Sequence, residues 1–509
     1  MNIPLAARVW ERARGIVLLV AVMVTAAALR LISLNYSEFQ GDEVKALYPA
    51  EAGFPLWLLG QTKGPIQFLV TLTVRLVSGG YGEWQTRLPF ALASLLTVLV
   101  VYLLVREAFD RRRALWAAAL TASCGLLVAF GRIVQYQAFV MLAVASAAWF
   151  LVRWIRRDRT LYLYAGFLSF AFGILAHYDA LTFGPAFAAL LVLGFLRREQ
   201  RTRRRLLHLG LAALSAGLLL SLFYVPFVLR PGFGLVAQYL GGRVAAGLGS
   251  TTFAQVGRLL GLYLPPGYLA VVGALALIGA VVALARTARP FGPIIVLWFV
   301  VPFVFYMLLG GRPRSHVYMV VLPGLILAAL AIEAVLSRVH PDGWGVAARA
   351  AVWAALALSA GMAYFMLVDH GVEHPWEAKT VLGYRLPNLV SGNVQGVFGF
   401  PYRRGLAQVG DRFRAGQLRG TFDSNERDAA AEFYFGAPRS SPPAIYFDEQ
   451  GSTAPDYYIY VLRPFSLRRD LPAVVRETYR QVDKIRENGR TTIEIYAAPW
   501  VLTAAAPAP

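Results

Sequence analysis

Cysteine is nearly absent: Cys124 is the only one in 509 residues, and it lies inside an apolar run. Disulfides are therefore excluded, and the redox compartment leaves no trace in the composition. Lysine is scarce as well. Lys45, Lys63, Lys379 and Lys484 are the only four among 49 lysines and arginines, a bias that hints at a GC-rich prokaryote. Charged residues make up 15% of the chain against 57% hydrophobic. No Walker-type loop and no Rossmann fingerprint occurs, which removes the usual nucleotide-binding devices, and no metal spacing of the HExxH or CxxC kind is present. No small-residue cleavage site follows the first apolar run after "ARVWERARG", so that run reads as a retained anchor. No internal repeat is found.

Long apolar runs are abundant through the first 370 residues. A run of about 20 apolar residues matches the hydrocarbon core of a bilayer, so the chain reads as a polytopic α-helical membrane protein. The spans fall at about 16–34, 88–106, 114–130, 138–153, 161–176, 181–196, 206–227, 267–285, 291–309, 317–337 and 349–368. Segment 65–80, "PIQFLVTLTVRLVSGG", is apolar but short and carries Arg75 at its centre. If it does not span, the N-terminal arginines and the loops "REAFDRRR", "RWIRRDR", "RREQRTRRR", "RTAR" and 338–349 share one face. That face is then the cytoplasm of an inner (plasma) membrane protein. The result is eleven spans, with 65–80 an interfacial helix on the outer surface. The net charge of +20 resides in those short loops, a positive-inside pattern rather than a nucleic-acid footprint.

The opposite face collects "GDE", "TKGP", "GRIVQYQ", "HYD", the long loop 228–266, "GRPRSH" and everything after residue 369. Residues 1–370 thus form a membrane domain and 371–509 a soluble extracytoplasmic α/β domain. In the latter, "AIYFDE" and "DYYIYVLRP" read as strands. "RRGLAQVGDRFRAG", "ERDAAAEFYFG" and "LPAVVRETYR" have helical spacing. Asn488-Gly489 suits a type I′ turn between two strands. The last residues, "TAAAPAP", read as a disordered tail.

Acids beside hydrocarbon are expensive unless paired, hydrated or used. Asp42 and Glu43 of "GDE" fit a general base or metal ligand, and equally a helix N-terminus favoured by the dipole. Lys63, ahead of Gly-Pro, suits a phosphate or a snorkelling surface position. Arg132 in a short outer turn could clamp a phosphate, neutralise Asp42 or sit among headgroups. Arg312, Arg314, His316 and Tyr318 stand at the mouth of one span, a plausible phosphate pocket. His177, Tyr178 and Asp179 stand at another, where capping of helix ends competes with a functional role. The metal requirement stays open.

The order of these segments resembles a known family. It runs from "GDE" and "TKGP" to "GEWQTRLPFALASLLTVLVVYLLVREAF" and "ASCGLLVAFGRIVQYQAFVMLAVASAAWFLV". It is similar to the bacterial relatives of the protein O-mannosyltransferases and of the aminoarabinose transferase that modifies lipid A. The likeness is strongest over 30–155 and continues more loosely to about 368. It implies a GT-C fold, a polyprenyl-phosphate sugar donor and interfacial helices in the first outer loop. It also implies that Asp42 acts at the reaction centre with Glu43 beside it, and that Lys63 contacts the lipid phosphate, although Gly64 follows where relatives carry proline. Arg132 matches the arginine of the family's next outer turn. Where several relatives place an aspartate five residues later, this chain has Gln137, which can hydrogen-bond a sugar hydroxyl but cannot act as a base.

The expected activity is inverting transfer of a sugar from a polyprenyl monophosphate to an acceptor hydroxyl at the outer face. Lys63, Arg132, Arg312, Arg314, His316 and Tyr318 would bind the lipid phosphate. Gln137, His177, Tyr178 and Asp179 would contact sugar or acceptor. No cofactor is required by this scheme, and a divalent metal stays open. The sugar is not specified, and the acceptor could be a glycolipid, a polysaccharide or a protein. A lipid-linked saccharide flippase or solute transporter is the alternative, although polar residues sit at the rim rather than the bilayer midplane. A degenerate transferase acting as a scaffold is a third reading.

Overall fold

The computed structural model describes residues 5–49, 53–196, 203–245, 253–285, 290–309, 314–339, 343–388, 397–440, 454–465 and 470–504. Each of the eleven expected spans contains a helix. α1 (Leu5–Leu31) leads into a connecting region holding α2 (Gly41–Val44), α3 (Phe54–Leu59) and α4 (Ile66–Ser78). α5 (Glu83–Ala108), the broken pair α6 (Arg111–Ser123) and α7 (Gly125–Gly131), α8 (Gln137–Arg157) and α9 (Thr160–Ala176) follow. A 3₁₀ turn, Tyr178–Phe183, feeds α10 (Gly184–Leu196) and then α11 (Arg203–Leu229). α12 (Phe233–Ala245) and α13 (Phe253–Gly261) occupy the long loop. α14 (Pro266–Leu284), α15 (Gly292–Val304), α16 (Tyr318–Leu336) and α17 (Gly343–Leu367) complete the membrane set.

Among the described residues eight helices are long and apolar enough to cross a bilayer, or nine when α6 and α7 count as one bent span. α9 and α15 are shorter apolar helices at two further expected positions. The chain is a multi-pass membrane protein. α8 and α16 run through its interior, whereas α11 and α14 leave rows of leucine and valine exposed for lipid. α4 has 13 residues, about 20 Å at 1.5 Å per residue, too short for a hydrocarbon core of about 30 Å. It buries Gln67, Phe68 and Thr71, and Leu76 and Val77 point out. Arg75 lies between the Tyr48 and Tyr81 rings and donates to the Tyr48 carbonyl at 2.7 Å.

The break between α6 and α7 has a local cause and a local remedy. The chain turns by 64° at Cys124, where the backbone leaves the helical region. Carbonyls just before the break lose their intrahelical donors, and in apolar surroundings each needs another partner. Arg30 of α1, fully buried, donates to the carbonyls of Ala122 (3.2 Å) and Thr121 (3.4 Å) and to the Ser94 hydroxyl (2.8 Å). Ser359 of α17 covers the carbonyl of Ser123.

After α17 come a short hairpin, β1 (Thr380–Val381) and β2 (Tyr384–Arg385), and a four-stranded sheet. The sheet is built from β3 (Phe422–Ser424), β4 (Tyr457–Val461), β5 (Arg480–Glu487) and β6 (Arg490–Ala497) in the order β3-β4-β6-β5. β3 and β4 are parallel and the other pairs antiparallel. α18 (Leu406–Arg414), α19 (Asp428–Phe435), α20 (Ala473–Thr478) and α21 (Pro499–Ala504) flank it. Asn488 (φ 50°) and Gly489 (φ 76°) supply the two positive φ angles that a type I′ turn needs between β5 and β6. The expected strand "AIYFDE" lies outside the described residues.

This α/β region is docked onto the connection between α1 and α2. The buried Glu38 carboxylate accepts the backbone N–H of Arg404 (2.8 Å) and of Leu406 (2.6 Å). The Tyr434 hydroxyl accepts the N–H of Phe39 (2.6 Å) and donates to Glu83 (2.8 Å). Gly399, at φ 77°, passes so close to the Ala129 carbonyl that a Cβ would collide with it.

Candidate functional site

Adjacent acids on α2 have opposite surroundings. Glu43 is wholly buried, and Arg87 of α5 grips it with two parallel bonds of 2.9 Å. Its oxygens also accept the N–H of Val134 (2.9 Å) and, closing a capping box, of Gln40 (2.9 Å). Arg87 spends its remaining donors on the carbonyls of Leu34, Ser37 and Glu38. A buried bidentate pair of this kind fixes geometry. Glu43 therefore has no capacity left for a reactant; it ties the α1–α2 connection to α5 and to the turn before α8.

Asp42 keeps 26% of its side chain exposed. Arg427, at the start of α19, donates to its Oδ1 at 2.9 Å, and Lys45 lies at 3.6 Å. Burial pushes the Asp42 carboxyl up, but Arg427, then Lys63 and Lys45, outweigh it and hold the group below the usual carboxylate range.

From Asp42 the polar residues continue in a connected series. Lys63 Nζ donates to Gln135 Oε1 at 3.4 Å and lies 5.0 Å from the Tyr136 ring centroid. Tyr136 stacks on His177, with centroids 3.8 Å apart and planes at 8°. His177 Nδ1 accepts the Asp179 N–H at 3.1 Å and caps the 3₁₀ turn. The Asp179 carboxylate receives the hydroxyls of Tyr306 (2.8 Å) and Tyr318 (2.8 Å), and His316 Nδ1 stands 2.7 Å from its Oδ2. Thus "GDE", "TKGP", "GRIVQYQ", "HYD" and the residues before α16, separate in the chain, meet in one place. Gly64 is needed for this approach: a Cβ there would collide with the Leu175 carbonyl at the end of α9.

Several expected phosphate ligands have other partners. Arg132 is buried and donates to the carbonyls of Leu29 (3.0 Å), Ile32 (2.9 Å) and Ser33 (3.3 Å). Its guanidinium closes the C-terminal end of α1 instead of facing a ligand or Asp42, because those last carbonyls have no intrahelical donor. Tyr318 and His316 turn onto Asp179. Gln137 is buried at the start of α8, and its Oε1 has no hydrogen-bond partner among the described residues. Tyr178 is half-buried with its ring beside His177. Arg312 lies outside the described residues, and Arg314 begins the turn Arg314–Val317.

Arg87, Arg427, Tyr136 and Tyr306 escaped the sequence reading. Arg87, in "QTRLPF", carries a detectable signal: a lone arginine entering an apolar run needs a partner, and the two acids of "GDE" precede it in the same outer loop. Arg427 carries none, since 385 residues separate it from Asp42. A separate cleft lies at the docking seam, between Tyr36, His370, Trp376, Arg403 and Arg490, and contains none of the expected site residues.

Residues 64–224 match the model of the dolichyl-phosphate-mannose-protein mannosyltransferase family. Over 111 residues the chain is 30% identical to the putative mannosyltransferase YkcB of Bacillus subtilis (strain 168). That stretch is 22% of this chain and only 15% of the relative's length. ArnT from Cupriavidus metallidurans, solved bound to undecaprenyl phosphate, superposes with a TM-score of 0.56 at 14% identity, covering 94% of this chain and 97% of that one. The archaeal oligosaccharyltransferase AglB from Archaeoglobus fulgidus, in complex with an inhibitory peptide and a dolichol-phosphate, superposes with a TM-score of 0.52 at 13% identity, covering 96% of this chain and 75% of that one. The architecture of membrane helices followed by an α/β region is the GT-C fold.

Proposed function

We propose that this GT-C chain is a membrane glycosyltransferase that moves a sugar from a polyprenyl-phosphate carrier to an acceptor hydroxyl, with inversion. The family match over 64–224 and the lipid phosphates bound by ArnT and AglB support the donor class. One observation carries the choice of base. Asp42 is an ionised, partly exposed carboxylate at the face that bears the α/β region, while its neighbour Glu43 is fully engaged. The reading puts that face outside the cytoplasm of the plasma membrane.

In this scheme the carrier's chain lies in the bilayer and its phospho-sugar beside Lys63. Asp42 accepts the proton of the acceptor hydroxyl. The resulting oxygen attacks the anomeric carbon from the face opposite the phosphate. The bond from the anomeric carbon to the phosphate oxygen breaks, and its electron pair leaves with the phosphate. Lys63 stabilises the charge that grows there. Arg427 occupies Asp42 Oδ1 in the resting arrangement, so the acceptor must displace it before the carboxylate regains its basicity. Glu43 and Arg87 are positioning residues.

The test is turnover of a labelled polyprenyl-phosphate sugar by purified protein, scoring both free polyprenyl phosphate and glycosylated product from a membrane extract. Asp42→Asn is expected to lower turnover by roughly 10²–10⁴-fold, the usual span of general-base catalysis, with only a small change in melting temperature. Equal turnover in both proteins overturns the role of Asp42. Carrier movement across liposomes with no sugar release overturns the transferase reading.

A further inference from the structure

We propose that His177, Asp179 and His316 form a binding site for a divalent first-row metal ion, with zinc the best fit. The three come from the end of α9, the 3₁₀ turn and the segment before α16. All are buried, and one ligand atom from each lies within 4.8 Å of the others. Two imidazoles and one carboxylate make the donor set of open zinc sites and of other first-row metals; calcium and magnesium prefer oxygen alone.

Two features favour a cation over a simple hydrogen-bonded knot. First, the Asp179 carboxylate is 2% exposed, and among the described residues its polar neighbours are the two histidines and the hydroxyls of Tyr306 and Tyr318. Among the described side chains no lysine or arginine reaches it, and buried charges are otherwise paired or bound to metal. Second, His177 Nδ1 accepts the Asp179 N–H and also lies 3.1 Å from Asp179 Oδ1. A nitrogen whose lone pair accepts that bond carries no proton to share with the carboxylate. Two electron-rich atoms then face each other, and a metal that takes the lone pair in place of the 3.1 Å N–H contact relieves the repulsion. Tyr306 and Tyr318 supply the supporting hydrogen bonds that orient a ligating carboxylate.

Tyr136 stacks on His177, and Lys63 Nζ lies 5.0 Å from the Tyr136 ring centroid, so the site adjoins the residues around the lysine. If the transferase reading holds, His177, Asp179 and His316 would hold a cation that adds positive charge near Lys63. The site itself does not depend on that reading.

The experiment is elemental analysis of the full chain, purified without a metal resin, followed by titration of the metal-stripped protein with Co²⁺. About one equivalent of metal is expected in wild type, with visible cobalt d–d bands. His316→Ala and Asp179→Asn should abolish both. Tyr306→Phe, which keeps all three ligands, should retain the bands and weaken cobalt binding roughly 10–100-fold. Wild type that is monodisperse but shows neither stoichiometric metal nor cobalt bands overturns the proposal. So does metal that persists in folded ligand variants. Neither readout uses a sugar donor, so failure here and failure of the transferase reading are separable.

Discussion

Asp42 and Glu43 are one helical step apart, and a step of about 100° is enough to send neighbouring carboxylates to different fates. Glu43→Gln leaves Arg87 buried without its counter-charge, a loss of about 3–5 kcal/mol when a buried pair is broken on one side. The melting temperature in detergent should fall clearly, and it should fall much less for Asp42→Asn. Arg427→Ala acts on chemistry instead. Removing the first cation that depresses the Asp42 carboxyl raises its pKa. A base must be deprotonated, so the acid limb of the pH–rate profile should move to higher pH. An unchanged limb would show that another group sets it. The presence of an acidic pair at this loop was legible from charge placement. Its division of labour was not, because an amphipathic period says nothing within a single turn. Arg132 was misjudged for a related reason: a sequence displays side chains, whereas the carbonyls at the end of α1 that consume its donors are invisible in it.

At the scale of elements, α4 is held against α9 by the absence of a side chain at Gly64. Gly64→Ala should push the start of α4 away from the Leu175 carbonyl and carry Lys63 with it. The expected outcome is a KM for the lipid donor raised about tenfold or more, since an ångström-scale displacement at a site can cost that much, with little change in net charge or expression. A KM equal to wild type would show that Lys63 tolerates the shift. This packing also accounts for the glycine after Lys63: any Cβ there meets the same carbonyl. The helices themselves were readable from hydropathy, as was the short length of segment 65–80. The bend at Cys124 was not, since "TASCGLLV" contains no proline and the break depends on Arg30 and Ser359 arriving from two other helices.

Across the whole molecule, the α/β region and the membrane helices share buried polar contacts that titrate. His374, between α17 and the sheet, is fully buried, with Nε2 3.1 Å from the Leu262 carbonyl. Burial pulls its pKa from 6.5 down to about 4. The folded chain therefore takes up this proton later than the unfolded chain as pH falls. Stability from this group is complete above pH about 6.5 and is lost as pH drops toward 4, on the order of 3 kcal/mol by linkage. The stability of wild type relative to His374→Phe, read from melting curves at each pH, should therefore fall by about 3 kcal/mol between pH 7 and pH 4. Parallel curves across that window would remove His374 as the cause. The strands and helices of the α/β region were largely visible in the sequence, down to the Asn488-Gly489 turn. Its docking was not, because Glu38, Phe39 and Glu83 meet partners more than 300 residues away.

The pair between Asp42 and Arg427 also imposes an order of assembly. Asp42 follows the first membrane helix, whereas Arg427 is synthesised 385 residues later, after the last one. A nascent chain carries every membrane helix before it carries the cation that covers its carboxylate. Of the three cations that hold its carboxylate down, Asp42 then has Lys45 and Lys63 but not yet Arg427. Synthesis of the α/β region, and not insertion of the helices, supplies the cation that gives the centre its resting cover.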